Sequence, residues 1–154
     1  MISENEVFNY FELAFKEAEL AAENSEVPVG CVIVKNNKVI SSARNQIITL
    51  KDPTAHAEML AIQEACKFLN NERLPGCSMY VTLEPCTMCS GAIILSRIEK
   101  VNFLCYDEKL PAFRLISESP GHNAQVEWQR YNIPKLPYEK LLTGFFAAKR
   151  EEKS

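Results

Sequence analysis

The chain contains 154 residues with a mass of 17.4 kDa, which is the size of one globular domain. Hydrophobic residues make up 47% and charged residues 24%, a balance that excludes disordered and fibrous proteins. The net charge of −3 is not the strongly basic balance that would by itself indicate nucleic-acid binding. No apolar run approaches the roughly 20 residues of a membrane span, and the acidic start does not resemble a secretory signal. We expect a single-domain cytoplasmic protein over residues 1–154, with no membrane association.

The hydrophobic pattern predicts alternating helices and strands. Helical periodicity over residues 5–24 predicts an amphipathic helix, and β-rich runs at 29–35 and 38–43, joined by Asn36-Asn37, predict a hairpin. The remaining predicted elements are helix 52–69, strand 78–83, helix 85–96, strand 100–106, a short helix around 115–116, an edge strand over 125–131 and a closing helix over 138–149. Because the hairpin is antiparallel and the strand–helix–strand unit is parallel, we predict an α/β fold of three layers, α-β-α, around a mixed, mostly five-stranded sheet.

Two short strings, residues 54–58 and 83–89, are typical of a metal site. Cys86 and Cys89 lie three residues apart, which places both sulfurs on one side of a helix start. A helix N-terminus lowers the pKa of a thiol and so favours the thiolate that binds metal. With the imidazole of His56 these thiolates form a donor set that suits Zn²⁺, and three protein ligands leave the open position of a catalytic zinc.

A fourth ligand would instead close the site and make the zinc structural. The candidates are His122, in a loop rich in Pro and Gly, and the thiols of Cys31 and Cys105 within predicted strands. For the isolated cysteines, burial as small hydrophobic side chains is the simpler interpretation, and a reducing compartment disfavours disulfides among them; these cysteines are Cys31, Cys66, Cys77 and Cys105.

Glu58 follows His56 by two residues, a spacing that points side chains to nearly opposite sides of a helix. The two side chains converge on one centre only if the metal lies beyond the end of the helix. In that geometry the Glu58 carboxylate stands beside a zinc-activated water and can shuttle its proton. The alternative is a solvent-facing glutamate in the first helical turn.

The combined pattern, His-x-Glu followed by Pro-Cys-x-x-Cys, is the signature of zinc-dependent nucleobase deaminases. From about Glu26 to Lys109 the chain resembles bacterial tRNA adenosine deaminases (TadA type) of the cytidine and deoxycytidylate deaminase superfamily. The strings that carry the resemblance are residues 26–30, 52–58, 80–86 and 91–97. It implies a cytidine-deaminase-like fold, hydrolytic deamination of the wobble adenosine of a tRNA anticodon to inosine, a homodimer and no organic cofactor.

The resemblance also implies three substrate contacts. Asn45 matches an asparagine that contacts the target base, Asp107 a position near the RNA backbone, and Phe146 an aromatic residue near unstacked bases. The alternatives are a turn residue for Asn45, a capping or turn aspartate for Asp107, and a core aromatic for at least one of Phe145 and Phe146. The chain departs from the family at residues 110–115, where large residues replace small ones and must stiffen or reshape a loop beside the anticodon groove.

Two other functions stay open on the sequence. One is deamination of a free nucleobase or nucleoside, such as guanine, cytosine or cytidine, on the same fold; the altered loop favours it. The other is a non-catalytic zinc module that binds RNA or a protein partner. That module would need a closed metal site, whereas three ligands beside an acid favour chemistry.

Overall fold

The computed structural model describes residues 2–118 and 126–153. Its elements in chain order are α1 (Glu4–Glu23), β1 (Gly30–Lys35), β2 (Lys38–Arg44), α2 (Ile47–Leu50), α3 (Ala57–Leu69), β3 (Cys77–Leu83), α4 (Thr87–Leu95), β4 (Lys100–Cys105), α5 (Ala112–Ser117), β5 (Glu127–Arg130) and α6 (Tyr138–Glu152). Strand β1 pairs antiparallel with β2 and β3, whereas β3 and β5 pair parallel with β4. The strand order is β2-β1-β3-β4-β5, which confirms the predicted mixed five-stranded sheet.

The sheet is covered by helices on both faces, as the three-layer prediction requires. Successive strand residues point to opposite faces, so Cys31 and Ile33 of β1 pack with α3, α4 and α5. Val32 and Val34 pack on the other face with α1 and the start of α6. Burial on both faces explains why β1, β3 and β4 are nearly continuous apolar runs in the sequence.

Gly30, the first residue of β1, lets α1 lie directly on the sheet. A Cβ atom at Gly30 would lie 1.8 Å from the carbonyl oxygen of Ala14 and 2.7 Å from the amide nitrogen of Ala18. Ala14 and Ala18 are themselves fully buried, so the contact joins small residues on both elements. This close approach sets the position of α1 against β1.

The hairpin turn follows the sequence prediction. Asn36 and Asn37 join β1 to β2, and both have positive φ angles, 51° and 62°. Asparagine tolerates the left-handed region better than most residues, and two such residues in sequence form the turn that matches the twist of a hairpin.

The second long helix begins later than predicted. The sequence predicts its start at residue 52, but α3 begins at Ala57. The Oδ1 atom of Asp52 accepts hydrogen bonds from the amide N–H and the hydroxyl of Thr54, at 2.8 and 2.7 Å. This local turn competes with helix formation and delays the helix by one turn.

A short helix that the sequence pattern did not reveal, α2, precedes this turn. The buried carboxylate of Glu26 accepts hydrogen bonds from the amide N–H groups of Ile48 and Thr49, at 3.1 and 2.8 Å, and from the Thr49 hydroxyl. The acceptor lies more than 20 positions away in the chain, which is why local periodicity gave no signal.

Helix α6 is anchored at its first residue. The buried hydroxyl of Tyr138 donates a hydrogen bond of 2.6 Å to the carbonyl oxygen of Pro28. The bond joins the start of α6 to the segment before β1. Across residues 2–118 and 126–153, no helix is both long enough and apolar enough to span a membrane.

All six cysteines are free thiols in the structure. Cys31, Cys77 and Cys105 are buried, and Cys66 is partly buried against the same apolar cluster as Cys31 and Cys77. These four residues therefore act as small hydrophobic side chains.

Candidate active site

The predicted metal ligands meet at the N-termini of two helices. His56 is the N-cap residue of α3 and Cys86 is the N-cap residue of α4, each with extended backbone angles. Cys89 lies in the first turn of α4. The His56 Nδ1 atom is 3.6 Å from the Sγ atom of Cys86 and 3.6 Å from that of Cys89. The ligand atoms therefore face one point beyond the helix ends.

This geometry fits a zinc ion. Tetrahedral zinc with ordinary Zn–N and Zn–S bond lengths separates a nitrogen and a sulfur ligand by roughly 3.6 Å. Among the described residues, no other His, Cys, Asp or Glu joins the group of His56, Cys86 and Cys89, so Cys31 and Cys105 are not ligands. His122 lies outside the described residues. The described part of the chain thus presents three ligands, as predicted.

The two thiols of the group differ in protonation. A hydrogen bond from Cys89 and a further one from His56 lower the pKa of Cys86 to about 4. The same bond to Cys86, together with burial, raises the pKa of Cys89. The hydrogen bond to Cys86 likewise raises the pKa of His56. The lowered pKa favours the thiolate form of Cys86, which is the form that binds a metal cation.

Glu58 lies in the first turn of α3 and is only 4% exposed, so the alternative of a solvent-facing glutamate is wrong. Burial raises the pKa of Glu58 to about 7. The charge of Cys86 raises this pKa further, whereas the charge of His56 lowers it. Both this carboxylate and the imidazole of His56 lie at the N-terminal end of α3, which is where the sequence argument needed them for a metal beyond that end.

Asn45 follows β2 and is 5% exposed. Its Oδ1 atom accepts a hydrogen bond of 2.7 Å from the amide N–H of Ala57, the first residue of α3. Its backbone N–H donates to the carbonyl oxygen of Val29 at 3.1 Å. The side chain therefore binds the start of α3, while the backbone of the same residue binds the segment before β1, and the alternative of a local turn residue is not what the structure shows.

Asp107 and Phe146 line one cavity of about 470 Å³, between the loop after β4 and helix α6. The Oδ1 atom of Asp107 accepts hydrogen bonds from the amide N–H groups of Lys109 and Leu110, which is the turn-capping role named as its alternative. Phe146 is 42% exposed and its neighbour Phe145 is partly buried, and neither ring belongs to the two apolar core clusters.

Sequence reasoning missed a further buried acid near the metal ligands. The side chain of Glu84, two residues before Cys86, is completely buried and pairs with the guanidinium of Arg114 at 2.9 Å. The sequence signal that could have indicated this buried acid is the position of Glu84 between a buried strand and the Pro85-Cys86 pair. Its partner could not be read from the sequence, because 30 positions separate the two residues.

The fold and this three-ligand site together define the class of zinc-dependent deaminases. The model of the cytidine and deoxycytidylate deaminase zinc-binding region matches residues 5–105. The chain belongs to this deaminase family. Because it is 50% identical to a tRNA-specific adenosine deaminase over 89% of its length, it also belongs to the narrower group of tRNA-specific adenosine deaminases. It is an enzyme with zinc as its cofactor.

Individual relatives agree with this assignment. The chain is 50% identical over 141 residues to the tRNA-specific adenosine deaminase of Aquifex aeolicus (strain VF5), covering 89% of this chain and 91% of the relative. A solved structure from studies of A-to-I editing by tRNA:A34 deaminases at the wobble position is 39% identical, with a TM-score of 0.77, and covers 80% of this chain and 98% of that one. Guanine deaminase from Bacillus subtilis is 27% identical, with a TM-score of 0.63 and coverage of 97% and 95%.

Proposed function

We propose that this protein hydrolytically deaminates the wobble adenosine of a tRNA anticodon to inosine. The observation that carries the chemistry is the convergence of His56, Cys86 and Cys89 with the buried carboxylate of Glu58. The substrate is inferred from relatives named for tRNA that match nearly the whole chain. In this proposal residues 1–154 act as one domain.

The residues divide into a metal group and a proton carrier. His56, Cys86 and Cys89 hold the zinc ion, which when bound activates a water molecule for hydrolysis. Glu58 carries the proton: burial raises its pKa to about 7, so the carboxyl can both hold and release a proton near neutral pH. It takes one proton from the attacking water and delivers it to the ring nitrogen, and it then takes the second proton of that water, from the new C–OH group, and delivers it to the amine, which leaves as ammonia.

Three further residues bind the RNA in this proposal. Asn45 has its Oδ1 atom occupied by Ala57, so its amide nitrogen is the group that faces the target base. Asp107 borders the path of the RNA backbone, and the exposed ring of Phe146 stacks on an unpaired base. The proposed ligand is therefore a folded anticodon stem-loop.

We also propose a cytoplasmic homodimer, because tRNA is a cytoplasmic molecule in bacteria and the helical layer of α4 and α5 exposes large apolar side chains. Leu95 is 78% exposed and Leu115 is 67% exposed, and their helices pack against each other. A second copy would cover such side chains. Light scattering should give about twice the mass of one chain; a mass near 17.4 kDa would contradict the dimer.

The second candidate is deamination of a free base. The segment at residues 110–115, which the sequence predicts as a loop and which contains the start of α5, departs from the small residues typical of tRNA deaminases. Guanine deaminase from Bacillus subtilis shares the fold along nearly its whole length. The site chemistry is the same for both substrates, so only a direct assay separates them.

The test incubates zinc-loaded protein with anticodon stem-loops that carry adenosine at the wobble position, and separately with guanine, cytosine and cytidine. We expect inosine in the RNA and no ammonia from the free compounds. A stem-loop with guanosine at the wobble position is the matched substrate control. Ammonia from a free base without inosine in RNA would replace the proposed substrate.

A further inference from the structure

The buried carboxylate of Glu84 binds both ends of the segment that follows β4. The Oε1 atom of Glu84 accepts a hydrogen bond of 2.9 Å from the amide N–H of Asp107. Its Oε2 atom accepts one of 3.2 Å from the amide N–H of Arg114 and one of 2.9 Å from the Arg114 Nε. Both ends of the segment 107–114 are thus attached to one side chain that is fully buried.

The guanidinium of Arg114 has a second contact. It lies over the ring of Tyr106, 4.4 Å from the ring centroid. Tyr106 packs edge-on against Phe103 and Trp128, so the ring is itself fixed in an aromatic cluster. The adjacent Phe113 is fully buried and reaches the same cluster. Arg114 therefore connects the loop to the core through a charge pair and a cation–π contact.

This loop leaves β4 beside the end of β3, the strand that leads to the metal ligand Cys86. Glu84 is separated from the ligand Cys86 by one proline, and its amide N–H donates to the carbonyl oxygen of Cys105 at the end of β4. The residues that follow, 106–109, form one wall of the cavity that Phe146 lines from α6. The Glu84–Cys105 hydrogen bond therefore fixes this wall relative to the end of β3, which also positions Cys86.

We propose that Arg114 is a positioning residue for RNA binding, which acts through Glu84 to hold the 107–114 loop in its binding conformation. The inference rests on the proposed function and names a residue that determines affinity for the stem-loop. A loop ordered before binding loses less conformational entropy when RNA is bound. This role differs from that of a phosphate ligand, because the Nε atom of Arg114 is already paired with a carboxylate whose side chain is fully buried.

The test compares the zinc-loaded Arg114→Ala and Arg114→Lys variants with the unmodified protein on the anticodon stem-loop. For Arg114→Ala we expect KM to rise roughly three- to ten-fold, with kcat within about two-fold and the zinc content unchanged. Arg114→Lys keeps the cation but not the planar Nε contact, so its KM should lie between that of the unmodified protein and that of Arg114→Ala. The Arg73→Ala control removes an exposed arginine and should leave KM unchanged.

The salt dependence of KM separates positioning from direct contact with RNA. Loss of a phosphate contact lowers the slope of log KM against log salt by about one, whereas a displaced loop raises KM equally at every salt concentration. An unchanged KM in Arg114→Ala, or a reduced slope, would overturn the inference while leaving the proposed function intact. Absence of inosine with the unmodified protein would instead contradict the proposed function and this inference together.

Discussion

The Oδ1 atom of Asn45 accepts the amide N–H of Ala57 at 2.7 Å, and this bond joins the end of β2 to the start of the helix that carries the active-site acid. A helix start leaves its first amide groups without partners inside the helix, and Asn45 satisfies one of them from another segment. The bond also orients the Asn45 amide, so structure and proposed base recognition depend on different atoms of one side chain.

Substitution of Asn45 should separate these two roles. Asn45→Asp keeps an oxygen acceptor for Ala57 at a helix N-terminus that favours negative charge, but it loses the amide donor. We expect the deamination rate to fall in both Asn45→Asp and Asn45→Ala, while only the alanine variant loses about 1 kcal/mol or more of unfolding free energy. Stem-loop kinetics and chemical denaturation measure the two effects. Full activity in Asn45→Asp would contradict the proposed base contact.

Removal of the Glu58 carboxylate should abolish turnover without removal of the metal. Glu58 is not among the ligand atoms, so Glu58→Ala should keep one zinc ion per chain and a folded structure. Loss of the proton carrier should lower kcat by roughly 10²–10⁴-fold. Metal analysis, circular dichroism and inosine formation check the three parts. Retained turnover would refute the assigned role.

The exposed ring of Phe146 should matter for RNA and not for stability. Base–aromatic stacking contributes about 1–3 kcal/mol per base, so Phe146→Ala should raise KM for the stem-loop by about five-fold or more. Phe68→Ala is the matched control, because Phe68 is an exposed phenylalanine of α3 that does not line the 470 Å³ cavity. Equal KM values for the two variants would contradict the stacking role.

A methyl group at Gly30 should destabilise the fold. The added Cβ would meet the Ala14 carbonyl oxygen at 1.8 Å, and backbone on the helix side cannot give way as a flexible side chain can. We expect Gly30→Ala to lower the unfolding free energy by more than about 3 kcal/mol. Gly144→Ala, in the interior of α6 with open space around it, should raise it by about 0.5–1 kcal/mol. Equal denaturation midpoints for both variants would be incompatible with this packing.

The carboxylate of Glu26 should stabilise the protein at neutral pH but not in acid. Burial alone would raise the pKa of Glu26, but hydrogen bonds from Thr49 and Ile48 lower it overall. A lowered pKa means that the folded state favours the charged form. Its contribution is complete above the ordinary carboxyl pKa and is lost as the pH falls through the lowered value.

Denaturation of Glu26→Gln at about pH 7 and about pH 3.5 tests this sign. The variant should be less stable by about 1.5–3 kcal/mol at neutral pH, and the difference should shrink in acid. Glu23→Gln, an exposed neighbour, should show no difference at either pH. A deficit of Glu26→Gln that grows as the pH falls would reverse the sign and contradict the assignment.

The elements were predicted where local patterns decide them. The hairpin at Asn36-Asn37, the strands and the layer order follow from periodicity and turn chemistry, which act between neighbouring residues. The start of α3 was misplaced because Asp52 binds Thr54 locally, in competition with the helix. Helix α2 was missed because its cap, Glu26, lies in a distant segment.

The sequence by itself indicated the class of chemistry, through the donor types of three residues and the local Cys86–Cys89 spacing, whereas the meeting of His56 with Cys86 across 30 positions is a tertiary contact. Only the tertiary structure decided what each carboxylate does. Glu58 is buried beside the ligands, whereas Glu84 pairs with Arg114 across 30 positions of the chain. Burial and pairing depend on contacts between distant segments, and no pattern among neighbouring residues encodes those contacts.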